Sequence, residues 1–518
     1  MKLLQLKLLG KILAALVLVL PALVCAPASA QTYGDSPARG NYGGSGYGAP
    51  SRGGSYRGGP FRRGFQIGPG ILLPALGAAA AAAAAADEEN TPPPRRHRRP
   101  PRHTVAQPHP IVQEAPPPKH FAKKYTRRAP ARKNLEKKPV ASALLNLPAR
   151  GETRLVAKEV LVAFKPGVSD KRIAALARRR RLQIAQFRDL ALLNQRVYRF
   201  RYADDRPLDG VLWSLARETS VASVQPDYVY ALAGDDTPAS PAPAAYAPAM
   251  LRLPEAHHIA TGKDVRVALI DGAIDASNPE IAGAVAATFD ASGAAAAPSL
   301  HGVGMASAIA GRRQIDGAAP AALLLAAQAF DDSPGAQGKE QAKEQATGFN
   351  LLAALDWAVA QKARVVNMSF AGPADPLFAK MLAAAAGRGI VLVAAAGNDG
   401  PGAAPAFPGA DAHVIAVSAV DDQSRLYARA NRGSYVDLAA PGVDVLVAAP
   451  GGAYDLSSGT SVACAEVSGI AALLLQEHPG LDGPALRRLL RASARKLENA
   501  PEAGAGLADA QAALRRGL

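Results

Sequence analysis

From about residue 250 onward, short and nearly unbroken apolar runs alternate with longer stretches of helical spacing. Val265–Ile270 is the first such run, and Leu323–Ala327, Val365–Met368, Ile390–Ala394 and Val414–Val417 follow it. Runs of this kind mark strands buried on both faces, as in parallel sheets. Between and after them the spacing predicts helices over 302–310, 350–361, 376–386, 460–476 and 483–496. In 350–361, Leu351, Leu352, Leu355 and Val359 share one face. The alternation predicts an α/β domain over 250–518, with helices on both faces of a mostly parallel sheet.

Residues 151–233 read differently. Glu159–Phe164 has strand character, and Ile173, Leu176 and Ala177 line one face of a helix that Ser169 can cap. Tyr198, Phe200 and Tyr202 alternate with Arg199 and Arg201, as in a half-buried strand. Pro207 opens a second helix with Leu208, Val211, Leu212 and Leu215 on one side, and Val221–Leu232 is again extended. Strand, helix, strand, helix, strand predicts a small α+β unit. The Pro/Ala-rich stretch 234–249 then reads as a linker and a target for cleavage.

Everything before residue 151 lacks a core. Residues 1–30 carry Lys2, Lys7 and Lys11, an apolar run Ile12–Val24 and the small-residue ending Ala28-Ser29-Ala30, the layout of a cleavable secretory signal cut after Ala30. The run is too short to span a membrane, and Leu23-Val24 before Cys25 fits a lipid anchor badly. The protein is therefore expected to be secreted or periplasmic. Segment 31–90 is rich in Gly, Ser, Tyr and Arg and ends near the polyalanine run Ala78–Ala86; segment 91–150 is Pro-rich and basic. Neither buries enough apolar surface to order itself.

Composition adds two points. The net charge is +16, and about +14 of it lies in 31–150, whereas the region after about 236 is mildly acidic, so the basicity belongs mainly to the arm and does not describe the later domain. Such an arm either spaces and solubilises or touches polyanions such as envelope lipid headgroups by charge alone. No motif for specific nucleic-acid binding accompanies it. With Cys25 removed, Cys464 is the single remaining thiol. Disulfides therefore play no part in stability, and Cys464 is expected to be a small buried hydrophobe.

The candidate chemistry falls at the carboxyl ends of the predicted strands, where open α/β sheets place function. Asp271 directly follows the first strand, His301 opens a helix, Asn398 ends a strand, and Ser461 begins the long helix after Gly459-Thr460. Singly, each has an ordinary reading: turn residue, helix cap, turn former and cap. Together they supply a nucleophile, a base, an orienting carboxylate and an amide donor for an oxyanion. No EF-hand-like loop or His/Cys cluster suggests a metal site.

The order Asp, His, Ser and the surrounding segments resemble the subtilase family of serine peptidases. The segments are Val267–Asp271, His301-Gly302 with Ala310-Gly311, Gly317–Pro320, Val365–Phe370, Ala395–Asn398, Leu438–Gly442 and Gly459–Ser461. The resemblance implies a subtilisin-like three-layer domain that hydrolyses polypeptides without a cofactor. Asp271, His301 and Ser461 would be catalytic, with Asn398 in the oxyanion hole. Ser369, Phe370, Ala371 and Gly372 on one side, and Ala395, Ala396 and Gly397 on the other, would offer backbone to an extended substrate by strand addition. Structural calcium is common in that family, but no ligands can be assigned here. More weakly, 151–233 resembles the family's ferredoxin-like inhibitory propeptide. Val224–Val229 matches its terminal strand, with an autocatalytic cut expected between Tyr230 and Thr237.

The departures from the family pattern are Gly272-Ala273 after the aspartate, Val303-Gly304 after His301-Gly302, Ala465-Glu466 after the serine, and Ala371 in the cleft. They remove no catalytic atom but weaken the expected support around Asp271 and His301. Two alternatives follow: a catalytically impaired binding protein of the same fold, or a protein whose main task is envelope binding through the arm.

Overall fold

The computed structural model of the protein describes residues 145–234, 245–331, 344–498 and 500–517. The signal-like start, the low-complexity segment and nearly all of the basic arm lie outside these residues, as do most of the 234–249 linker and most of the polar loop after residue 331.

The first folded part runs β1 (Leu155–Phe164), α1 (Asp170–Arg179), β2 (Gln183–Leu190), β3 (Gln195–Arg201), α2 (Leu208–Ala216) and β4 (Val221–Leu232). Its strands lie antiparallel in the order β4-β1-β3-β2, the ferredoxin-like connectivity. One face buries Val160, Val162, Phe164, Phe200, Leu212 and Leu215 in a core of its own. Ser169 stands at the N-cap of α1, but its side chain makes no capping hydrogen bond.

The second part begins with α3 (Tyr246–Leu251), α4 (Leu253–His257), β5 (Arg266–Asp271), β6 (Val285–Asp290), α5 (Leu300–Ala310), β7 (Leu323–Gln328) and β8 (Gln345–Thr347). It continues with α6 (Gly348–Ala360), β9 (Val365–Met368), β10 (Phe370–Ala371), α7 (Pro376–Ala386), β11 (Val391–Ala395), β12 (Val414–Val420) and β13 (Leu438–Pro441). A hairpin of β14 (Val445–Ala448) and β15 (Tyr454–Ser457) leads to α8 (Thr460–Glu477), α9 (Gly483–Ser493) and α10 (Ala510–Gly517). Seven strands form one parallel sheet in the order β13-β12-β11-β9-β5-β7-β6. The expected α/β class holds. After β5 the chain fills one side of the sheet and then returns to β9 on the other. The switch point therefore lies at the carboxyl end of β5, beside Asp271.

Helix α8 is the axis of this part. Every residue from Thr460 to Leu475 is buried, and its apolar surface runs all round, as befits a helix enclosed by protein. Its polar side chains are tied to the sheet. Asn367 Oδ1 accepts from Ser468 Oγ at 2.9 Å and Cys464 Sγ at 3.2 Å, and Ser369 Oγ donates to Ser461 O at 2.9 Å. Cys464 is fully buried, and burial pushes its thiol up to about 12, which makes it inert.

Glu466 is the exception on α8. It is buried beside a cavity of about 70 Å³ whose walls include Leu253, Ala308, Ile315 and Leu446, and its Oε2 has no hydrogen-bond partner among the described residues. Burial holds its carboxyl well above the usual carboxylate range. A carboxyl raised in this way leaves the fold at full stability below about 4.5 and erodes it as pH climbs from there toward the raised folded value. Glu466→Gln is therefore expected to match the parent near pH 4 and to exceed it increasingly at neutral pH. The limiting slope is about 1.4 kcal/mol per pH unit. Denaturant unfolding across pH 4–8, in a Ser461→Ala background to prevent self-digestion, checks this. Parallel pH profiles for the two proteins would show that Glu466 is stabilised as an anion.

Candidate active site

Asp271 ends β5 fully buried, and its Oδ1 accepts from Gly272 N at 2.8 Å and from His301 Nδ1 at 2.7 Å. With the proton on Nδ1, the imidazole presents Nε2 as the basic atom. His301 lies in the first turn of α5. Ser299 caps that helix by accepting from Gly302 N at 2.9 Å. The glycine after the aspartate has a steric reason: a Cβ at Gly272 would come within 2.6 Å of Ser299 Oγ and 2.7 Å of Glu344 Oε1. Val303 is fully buried, and Gly304 lets α5 pack closely on Val447 of β14. Asp271 Oδ2 is buried without a hydrogen-bond partner among the described residues.

Ser461 occupies the first turn of α8. Its Oγ is buried and makes no hydrogen bond among the described residues. The preceding Gly459 has φ +149°, and a Cβ there would collide with Ala233 O and lie 2.8 Å from Asn398 Nδ2. Glycine is required for both reasons. Asn398 is oriented by Thr460, whose N and Oγ1 donate to Asn398 Oδ1 at 3.1 and 2.8 Å; Thr460 Oγ1 in turn accepts from Gly397 N. The amide nitrogen is thereby turned toward one point.

That point is occupied by the end of the first folded part. Ala233 O accepts from Asn398 Nδ2 at 2.5 Å and from Ser461 N at 3.3 Å, while Ala233 N donates to Ser369 O at 3.0 Å. Upstream, β4 runs antiparallel between two short strands. Leu232 and Ala231 pair with Phe370 and Ala371 of β10, and Ala231, Tyr230 and Val229 pair with Gln345, Ala346 and Thr347 of β8. A Cβ built on Gly234 would stand 3.4 Å from His301 Nε2 and 3.9 Å from Ser461 Oγ, so both atoms flank the same peptide.

The first of the two expected cleft segments thus pairs with an extended chain. Gly372 contributes instead through Tyr230, whose ring lies against its α-carbon. The second segment, Ala395–Gly397, makes no backbone hydrogen bond to the tail among the described residues. Ala396 N donates to Val417 O and Gly397 N to Thr460 Oγ1, so this segment supports Asn398 from behind. The edge opposite β10 is β8, at the end of the polar loop; a Gln-Ala-Thr tripeptide carries no strand signature, and only its burial of Ala346 against β4 makes it one.

Further contacts invisible to sequence reasoning seat the first part on the second. Asp227 Oδ1 accepts from Phe349 N at the start of α6, and Gln225 Oε1 accepts from Leu377 N at the start of α7. Asp356 Oδ1 accepts from Leu192 N at 2.7 Å. At the starts of α6 and α7 such oxygens satisfy backbone N–H groups that have no partner within the helix. Among the described residues, no group of three or more His, Cys, Asp or Glu side chains is placed to hold a metal ion.

The profile of the Subtilase family matches residues 262–510. Subtilisin E of Bacillus subtilis is 31% identical over 309 residues, covering 58% of this chain and 77% of that protein. Subtilisin Savinase of Lederbergia lenta is 31% identical over 278 residues, 51% of this chain and 96% of its own. Among solved structures, fervidolysin of Fervidobacterium pennivorans, a keratinolytic enzyme related to subtilisin, shares the fold. Its TM-score is 0.59 at 21% identity, with 72% of this chain and 63% of that chain covered. The chain belongs to the subtilase family and is a serine endopeptidase of subtilase type.

Proposed function

We propose that the protein is made as a zymogen in which 151–233 is an inhibitory propeptide, and that the enzyme itself cuts the Ala233–Gly234 bond. The reading rests on one observation: the Ala233 carbonyl lies between Asn398 Nδ2 and Ser461 N, with His301 and Ser461 Oγ against the next residue. In this reading Ser461 Oγ attacks the Ala233 carbonyl carbon while His301 Nε2 takes its proton and Asp271 holds the imidazolium. The carbonyl oxygen gains charge where two donors already point. His301 then returns the proton to the Gly234 nitrogen, which departs as the new amino terminus. Water, activated by the same histidine, hydrolyses the Ala233 ester.

Until residues 151–233 leave, their last strand fills the cleft as a substrate does, which accounts for inhibition. Export through a signal at 1–30 supports the same life history. No helix among the described residues is long and apolar enough to cross a membrane. Amino-terminal sequencing of the matured protein tests the proposal: the expected first residue is Gly234. A start elsewhere in 230–237 would move the register, and a chain left intact would favour an impaired, binding-only relative.

The residue after the cut is expected to matter. A Cβ at Gly234 would approach His301 Cδ2 to 2.8 Å, and the ring cannot retreat without leaving Asp271. Gly234→Val should therefore slow maturation roughly 10²-fold, the usual cost of about 1 Å of misplacement. A gel time course of processing reads this directly; an unchanged rate would mean that the bond sits differently during reaction.

A further inference from the structure

With Ala233 as the residue before the cut, Tyr230 is the fourth residue on that side, and its surroundings are specific. The side chain is 1% exposed. Its ring lies on the Gly372 α-carbon and meets Phe370 and Phe378 edge-on, with centroids 5.9 and 6.2 Å away. Apolar walls of this kind would hold phenylalanine equally well. The end of the pocket would not, because it is closed by the carboxylate of Asp375, buried at 1% exposure.

Asp375 uses only one of its oxygens elsewhere. Oδ1 accepts from Leu377 N and Phe378 N at 2.9 Å, capping α7, and from Gln225 Nε2 at 2.7 Å. Oδ2 and Tyr230 Oη are both buried and neither makes a well-formed hydrogen bond among the described residues; the phenol and the Asp375 carboxyl lie close enough to interact, and burial raises both. A Cβ at Gly348 would come within 2.8 Å of Oδ2, so glycine there keeps this oxygen open. Burial drives the phenol well above its ordinary range, which keeps its proton available for donation.

We infer that Asp375 makes this subsite select tyrosine over phenylalanine four residues before the cleaved bond, in substrates as well as in the propeptide. A phenylalanine there offers this buried carboxyl oxygen no donor at all. Sites built to receive a hydroxyl reject the analogue that lacks it far more strongly than apolar pockets discriminate by size. The inference rests on the proposed cut at Ala233–Gly234, which fixes the register.

The test uses enzyme matured from the full chain and peptides of the sequence of residues 229–236, with tyrosine, phenylalanine or O-methyltyrosine at the second position. Tyrosine is expected to exceed phenylalanine by about 10- to 100-fold in kcat/KM, in line with a charged hydrogen bond gained or lost. O-methyltyrosine, which fills the pocket but cannot donate, should fall to the phenylalanine level or below. Asp375→Ser retains an oxygen to cap α7 and should bring the tyrosine-to-phenylalanine ratio close to one, a readout independent of how much variant folds. Equal rates for the three peptides in the parent enzyme, with cleavage at the Ala-Gly bond, would overturn the assignment alone. So would an unchanged ratio in the variant. Cleavage at another bond, or none, would overturn the register and the assignment with it.

Discussion

Ser461→Ala is expected to leave the propeptide uncut and to lower peptide hydrolysis by about 10⁶, the magnitude that holds for the nucleophile of subtilisin, a relative of this chain. Its Oγ flanks the Ala233–Gly234 peptide, and without it the oxyanion donors alone give only the small residual rate. The substitution should cost little stability, because the hydroxyl is buried without a hydrogen-bond partner and alanine strands no donor or acceptor. The variant should therefore accumulate as a chain still carrying 151–233 in the cleft, held by both strand pairings and by Asp227 and Gln225 at the helix starts. Amino-terminal sequencing beside the parent and a single-turnover assay together check it. A variant that matured normally, starting at Gly234, would show that another protease makes the cut.

Sequence reasoning reached the parts whose signal is local. Central strands such as Arg266–Asp271 and Val391–Ala395 are buried on both faces, so their apolar runs are unbroken and readable. The strand Gln183–Leu190 escaped because it lies at a sheet edge, with only Leu190 buried, and its residues carry no clear alternation. Val285–Asp290 is likewise a half-exposed edge strand. Asp271, His301 and Ser461 were legible because each closes or opens an element that is itself legible, Asn398 because it lies three residues past the legible strand Val391–Ala395, and all four because the order of the motifs matches a family. Their support was not legible. Thr460 turning the Asn398 amide, Gln345–Thr347 becoming a strand, and Asp375 standing at the end of a tyrosine pocket all depend on contacts between residues far apart in sequence. The altered neighbours divide in the same way. Gly272 and Gly304 are explained by close packing, and Asp271 Oδ2 lacks a partner among the described residues.

Asn398→Ala should lower kcat by about 10²–10³, the cost of losing the same donor in subtilisin, and leave KM almost unchanged. The reason lies in how the site divides its work. The tail of 151–233 is held mainly by strand pairing to Phe370–Ala371 and Gln345–Thr347 and by the Ser369 carbonyl, none of which involves Asn398, and a substrate seated in the same way would be held likewise. The amide nitrogen contacts one atom, the carbonyl oxygen, which gains a full charge only as the tetrahedral intermediate forms. A donor fixed beforehand by Thr460 strengthens at that moment without having to reorient, so its worth appears in the transition state. Ser461 N, at 3.3 Å, stays as the second donor and sets the floor to which the rate falls. Thr460→Val, which removes the hydroxyl but keeps the backbone donor, should lower kcat in the same direction by a smaller factor. Steady-state kinetics on one peptide separates the cases. A loss confined to KM in Asn398→Ala would make the amide a substrate-binding group, and the short contact to Ala233 O would then describe ground-state recognition instead of catalysis.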